Sequence, residues 1–170
     1  MKLKAKVIIL MMAVFSTTLV AAQDKKPASP AATATGVING ATITINYSSP
    51  FVKGRTIWGD LVPYGQVWRA GANDATTFET SKAITVEGKQ LPAGKYTFFI
   101  IPEKDGKATG IFNSEAKQWG AYKYDEKKDA LRVAIKSKKS VKLNESLVYK
   151  VNKNNVTLSW ENQDFTISIK

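Results

Sequence analysis

The chain contains no histidine and no cysteine. Without histidine, the Ser-His-Asp and Cys-His arrangements of nucleophilic catalysis are excluded, and the commonest zinc ligand is missing. Without cysteine there is no thiol chemistry, no disulfide, no iron–sulfur cluster and no thiolate metal site. Arginine is scarce as well, with Arg55, Arg69 and Arg132 set against 22 lysines. The chemistry left open would use carboxylates, lysine, tyrosine or an oxygen-ligated calcium. No Asp-rich loop with calcium-ligand spacing is present. The expectation is a protein without metal or cofactor, whose fold rests on core packing alone.

Long apolar runs are absent except near the N-terminus. Lys2, Lys4 and Lys6 precede an apolar stretch from Val7 to Val20 that only Ser16, Thr17 and Thr18 interrupt, and Val20-Ala21-Ala22 supplies small residues. This is the layout of a secretory signal, and the stretch is short for a bilayer span of about 20 residues. Residues 1–22 are therefore read as a signal peptide cleaved before Gln23. The processed chain is expected in the periplasm or outside the cell, with no membrane span and, lacking cysteine, no lipoprotein anchor. Cleavage removes three lysines and lowers the net charge from +11 to +8. Such a charge attracts anionic surfaces, lipid headgroups or acidic glycans among them. The lysines are spread along the chain and alternate with strand residues, which also suits a solubilising face. No clustered basic stripe points to nucleic acid as a partner.

Residues 23–35 are rich in Pro, Ala, Ser and Thr and read as a flexible tether. From Gly36 to Lys170 the dominant period is two, and one domain is expected. Val37-Ile38 and Ala41 to Tyr47 flank Asn39-Gly40, the strongest short hairpin signal. Further strand candidates are Thr76 to Thr80, Ile84 to Glu87, Lys95 to Ile101 and Lys107 to Phe112. Leu131 to Lys136, Val141 to Leu143 and Leu147 to Val151 follow, although Val141 to Val151 also suits a short helix. Val156 to Trp160 and Phe165 to Ile169 read as a last hairpin, closed by Asn162-Gln163-Asp164. Short strands with half-apolar faces predict an all-β fold, a two-sheet antiparallel sandwich or, as the alternative, a closed barrel.

Ser49 to Asp74 breaks the alternation. The segment holds four glycines, two prolines, two tryptophans, one tyrosine and two of the three arginines. A loop this long in a compact domain is functional or disordered, and its aromatic density argues for order. A helical turn is expected near Trp58 to Leu61. Because lysine supplies the generic charge, Arg55 and Arg69 mark places where a planar, bidentate donor is needed. Two readings stay open. Arg69 could bridge loop carbonyls or a carboxylate such as Asp60 or Asp74 while the tryptophans plug the end of the fold. Alternatively, Arg55 or Arg69 could face a cleft and grip an anionic or hydroxyl-rich ligand. A second cluster, Gln118 to Asp125, sets Trp119, Tyr122 and Tyr124 around Gly120, either as a stacking platform for sugar rings or as a cover for the core.

At these residues the chain resembles domain-of-unknown-function family 2911, small exported bacterial proteins without an established activity. The likeness rests on Ser49-Pro50, Lys53-Gly54-Arg55, Ile57-Trp58-Gly59 and the run from Leu61 through Tyr64-Gly65 and Val67-Trp68-Arg69 to Asn73. It extends to Ala75-Thr76, Leu91 to Tyr96, Trp119-Gly120 with Tyr122 and Tyr124, and Leu158 to Glu161. The resemblance implies one exported domain and brings no catalytic residues with it. The functional expectation is a non-catalytic binding module for a cell-envelope glycan or another anionic or hydroxyl-rich ligand. Its candidate ligand-binding residues are Arg55, Trp58, Trp68, Arg69, Asn73, Tyr122 and Tyr124. A glycoside hydrolase drawing a carboxylate pair from Asp60, Asp74 and Glu79 is the catalytic alternative, and a domain serving only protein contacts is the third.

Overall fold

The computed structural model describes residues 27–170; the signal segment and the start of the tether lie outside the described residues. The period-two stretches form strands β1 (Ala31–Ile38), β2 (Ala41–Ser48), β3 (Thr77–Thr80), β4 (Ile84–Val86) and β5 (Lys89–Leu91). They continue as β6 (Gly94–Pro102), β7 (Lys107–Asn113), β8 (Asp129–Val151) and β9 (Asn155–Ser168). Seven of them make one antiparallel sheet in the order β1-β2-β3-β6-β7-β8-β9, and β4 and β5 form a separate hairpin. The all-β reading holds. Asn39 and Gly40 both carry positive φ, 49° and 77°, as the tight hairpin between β1 and β2 requires.

Three boundaries differ from the sequence reading. β1 starts at Ala31, inside the stretch read as a tether. Alanine and threonine give no apolar period, yet each residue from Ala31 to Ile38 pairs with β2. The three candidates between Leu131 and Val151 are one strand, so the helical option is excluded. The expected C-terminal hairpin is also one strand. Gln163 and Asp164 pair with Lys139 and Lys138 rather than turning the chain. Trp160 and Phe165 both face the core, although five residues of strict alternation would set them on opposite faces. The irregularity at Glu161, with φ of 53°, supplies the extra step, as a bulge does.

The large sheet curls until its ends nearly meet, a shape that a flattened barrel shares with a sandwich. Beyond β2, Val52 N donates to Glu145 O at 2.7 Å and Leu147 N donates to Pro50 O at 2.9 Å, so the chain after β2 pairs with β8. Here β1 also comes close to β8. A Cβ on Gly36 would stand 2.7 Å from Val151 Cγ1, which only glycine avoids.

Ile43, Ile45, Phe78, Phe98, Phe112, Trp160 and Phe165 fill the interior and are almost wholly shielded from solvent. β6 is apolar on both faces. Phe98 and Ile100 join this core, whereas Phe99 joins a smaller cluster with Ile111 and Ala75, flanked by Val67, Ile101, Ala121 and Tyr124. Something must therefore cover the outside of β6 and β7. The cover is the second half of the long loop together with the 114–124 segment.

Replacing Trp160 with alanine is expected to cost about 3–5 kcal/mol in denaturant unfolding, as for other large core aromatics. A second expectation concerns alkaline pH. Burial raises the Tyr149 hydroxyl above its ordinary value, and burial followed by the hydrogen bond to Asp129 raises that of Tyr124. The unfolded chain then ionises first, so their contribution is intact below about pH 10 and is lost as pH climbs beyond it. Burial raises the Tyr96 hydroxyl as well, so tyrosinate absorbance should show a late group of hydroxyls titrating with unfolding, and Tyr124→Phe with Tyr149→Phe should shrink that group and flatten the alkaline loss.

Candidate functional site

Residues 49–76 are ordered by backbone pairing at both ends. The first end is held by β8, as described above. In the second half, Gly65 N donates to Pro102 O at 2.8 Å and Trp68 exchanges hydrogen bonds with Ile100 at 2.8 and 2.9 Å. The loop thus occupies the edge of β6 that β3 leaves free. Between these ends, Val62 N donates to Ile57 O at 2.8 Å across a turn at Gly59, and no helical turn forms there. Ala75 N donates to Gln118 O at 3.0 Å and Gly120 N to Asn73 O at 3.2 Å. That bridge sets the two segments singled out in the sequence side by side.

The two tryptophans of the loop point inward. Trp58 meets Trp68 and Trp160 edge-on at 5.6 and 6.0 Å, and Trp68 stacks on Trp160 at 5.8 Å. Trp58 is buried, so its ring is not available to a ligand in this conformation, and it plugs the core as the first of the two readings held. Trp68 is half-buried and keeps one side on a cleft.

The arginines divide unexpectedly. Arg55 donates through Nε to Val52 O at 3.1 Å and through Nη2 to Phe51 O. It is a clamp on its own turn. Arg132 donates through Nη1 to Asp129 Oδ2 and the Tyr124 hydroxyl, each at 3.0 Å. Arg69 does neither. Its Nε is buried with no hydrogen-bond partner in the protein, and none of the ion pairs among the described residues includes it. Asp60 and Asp74, the acids offered as its partners, therefore do not hold it.

Asn73 is a turn residue, with φ of 57° and its amide directed at Ser48 Oγ and Ser29 O. Tyr124 packs edge-on against Phe99 at 5.2 Å and donates to Asp129 Oδ2 at 2.6 Å, so it covers the smaller core. Tyr122 is 83% exposed and its neighbour Trp119 is 61% exposed. The Gln118–Asp125 cluster thus covers the core through Tyr124 and leaves the Trp119 and Tyr122 rings exposed. Gly120 makes the local geometry feasible. Its φ is 62°, and a Cβ there would stand 3.0 Å from the Tyr122 ring and 3.5 Å from Arg69 Nη1. Tyr122 and the Arg69 guanidinium accordingly approach the same glycine.

Three depressions run along this face. One of about 390 Å³ is lined by Val67, Trp68, Arg69, Ala121 and Tyr122, among others. The next, about 570 Å³, shares Tyr122 and adds Trp119, Glu115, Lys117, Gln118 and Lys128. The third, about 380 Å³, shares Asp74, Lys117 and Gln118 and reaches Tyr47, Thr77 and Lys95. Two of the lining residues, Gln118 and Thr77, each hold a buried oxygen, Oε1 and Oγ1, without a partner in the protein. The Gln118 amide nitrogen is occupied, donating to Glu115 O at 3.2 Å. The free carbonyl is an acceptor, the threonine hydroxyl can donate or accept, and Arg69 Nε is a donor.

Of the residues expected from sequence, Trp68, Arg69 and Tyr122 come together, whereas Arg55, Trp58, Asn73 and Tyr124 are taken up by the fold. Lys117, Gln118, Trp119 and Thr77 were absent from the expected set. Trp119 and Gln118 were visible as part of the second cluster, but nothing in the sequence tied them to Arg69. Asp74 lines two of the depressions, while Asp60 and Glu79 line none of the three. Lys128 and Glu115 pair at 2.7 Å across the rim, and that hydrogen bond raises the lysine pKa. Among the described residues no group of three or more acidic side chains converges as a cation site would require.

No curated protein and no solved structure matches this chain. Residues 29–169 match the family model described as "Protein of unknown function (DUF2911)", and the chain belongs to that family.

Proposed function

We propose that the protein is a non-catalytic binding module whose ligand is rich in hydroxyl groups, a glycan of the cell envelope being the class that fits best. One observation carries the reading: the exposed Trp119 and Tyr122 rings share a depression with Gln118, Tyr122 shares a second with Arg69, and Gln118 shares a third with Thr77. A sugar presents an apolar face that stacks on an aromatic ring. Its hydroxyls both donate and accept, which suits the arginine, glutamine, lysine and carboxylate side chains that line these depressions. Hydrolysis finds less support, because Asp60 and Glu79 do not line these depressions and leave Asp74 without a second carboxylate from the expected set.

Equilibrium binding to peptidoglycan and to a panel of soluble oligosaccharides tests the reading. At least one glycan should bind, and Trp119→Ala with Tyr122→Ala should weaken it by about tenfold or more. Absence of binding across the panel, or binding that the double variant retains, would overturn it. The same proposal sets an expectation for stability. Because no partner would be stranded, Arg69→Ala should lower the unfolding free energy by no more than about 0.5 kcal/mol, while lowering glycan affinity about tenfold. A loss of about 3–5 kcal/mol would instead mark a buried bridging charge.

A further inference from the structure

β8 carries a feature that neither the core nor those depressions use. Lys139 pairs with Gln163 and Asn144 with Glu161, so β8 advances five residues while β9 advances two. The surplus, Ser140 to Leu143, is pushed out of the ladder. On its other side β8 pairs with β7 only as far as Lys136, and its next bridge is Ser146 with Phe51. The projection is built rather than frayed. Ser140 Oγ donates to Asp164 Oδ1 at 2.6 Å, and Asn144 Nδ2 donates to Ser140 Oγ at 3.1 Å and to Lys142 O at 3.3 Å.

The composition of this knuckle is unusual. Val141 is fully exposed and Leu143 is 62% exposed, although a β-branched and a leucyl side chain gain nothing from water. Lys138, Lys139 and Lys142 bracket them, and Lys104 lines a shallow depression with Lys138 and Lys139. The nearby acids are engaged or set back. Asp164 accepts from Ser140, Glu145 accepts from Lys53 N at 2.9 Å, and Glu161 is half-buried opposite Asn144. A lysine-only patch would read as a guarded strand edge. Two apolar side chains at the tip, ringed by cations, are what an interfacial anchor presents: the apolar tip enters the headgroup–acyl boundary and the flexible lysines reach phosphates.

We propose that the Ser140–Leu143 knuckle docks the protein on the surface of an anionic lipid bilayer. Val141 and Leu143 insert, and Lys138, Lys139 and Lys142 pair with phosphate groups of the leaflet. Charge complementarity chooses the partner and the apolar tip separates a bilayer from a soluble polyanion. The attraction is short-ranged, falling off within a Debye length of about 10 Å at 0.1 M salt, so binding should weaken as salt rises.

Vesicle co-sedimentation tests this with the chain from Gln23 onward, which carries every strand and core residue described above. Vesicles of phosphatidylglycerol with phosphatidylcholine should pellet the protein, and vesicles of phosphatidylcholine alone should not. Each lysine near an anionic leaflet is worth about fivefold in partitioning, so Lys138→Ala, Lys139→Ala and Lys142→Ala together should lower it by at least tenfold. Val141→Asp with Leu143→Asp should lower it comparably. Both changes fall on exposed positions, and an unaltered thermal unfolding curve confirms the fold. Failure of the wild type to bind anionic vesicles overturns the proposal. So does binding that needs the lysines but ignores the aspartate pair, since the patch would then be a plain polyanion site. Pelleting without vesicles would assign the knuckle to self-association and overturn it equally. The readout is independent of those depressions, where Trp119→Ala leaves the knuckle intact.

Discussion

A chain with no cysteine keeps its sheet closed by hydrogen bonds and packing alone, and β8 carries most of that burden. Its first half pairs with β7, its second half with β9, and its far edge with the chain leaving β2. One strand thereby holds both ends of the curled sheet. The irregularities in its pairing follow from the same demand. A long strand that serves two partners in different directions must bend, and bulges are how a ladder bends without losing its inward face. Ser49 belongs to this closure as well, since its buried hydroxyl donates to Leu147 O at 2.7 Å. Tyr47 accepts from Tyr149 N at 3.3 Å nearby. The Gly36 approach to Val151 is the steric counterpart of those bonds.

The same closure decides what the long loop can do. Tied to β8 at Pro50 and to β6 at Trp68, the loop runs across the opening of the sheet and onto its outer face. Adjacent residues in an extended segment point to opposite sides. Trp68 therefore enters the aromatic plug of Trp58, Trp160 and Phe165 while Arg69 faces out toward Gly120 and Tyr122. Immediately after them Ala70 is held at φ of 49°, an unusual conformation for a residue with a side chain. Its carbonyl is fixed there by the Thr76 hydroxyl at 3.0 Å and the Tyr149 hydroxyl at 2.8 Å. The core thus orients the arginine by gripping the backbone one residue away.

Local chemistry was legible in the sequence where it is decided locally. Asn39-Gly40 names its turn because few other pairs hold positive φ at two successive positions. Asn162-Gln163-Asp164 misleads for a related reason, since polar residues between two apolar faces suit a bulged strand as well as a turn. Only the partner across the ladder distinguishes them, and here Lys138 and Lys139 are that partner. The arginines show the same limit. Arg55 and Arg69 stand in the same loop beside tryptophans, but a clamp on backbone carbonyls leaves no mark in the choice of neighbouring side chains. Which arginine is the clamp depends on where the chain folds back, and that is set by β6 and β8. Trp119 was hidden likewise, because its place beside the end of the long loop comes from the bridge between Asp74 and Trp119.

The distribution of unpaired polar atoms bears on the candidate site more than any single residue does. Trp58 Nε1 and Trp160 Nε1 are unpaired inside the aromatic plug, where large rings bring apolar contact that offsets one lost hydrogen bond each. Arg69 Nε, Gln118 Oε1 and Thr77 Oγ1 have no such compensation, and all three belong to residues that line depressions on this face. Of the three, only Arg69 Nε belongs to a charged side chain. Arg55 and Arg132 show that this chain satisfies guanidinium groups internally where the fold needs them. Arg69 differs from both, its backbone held at the next residue through Ala70 O while its buried Nε has no partner in the protein.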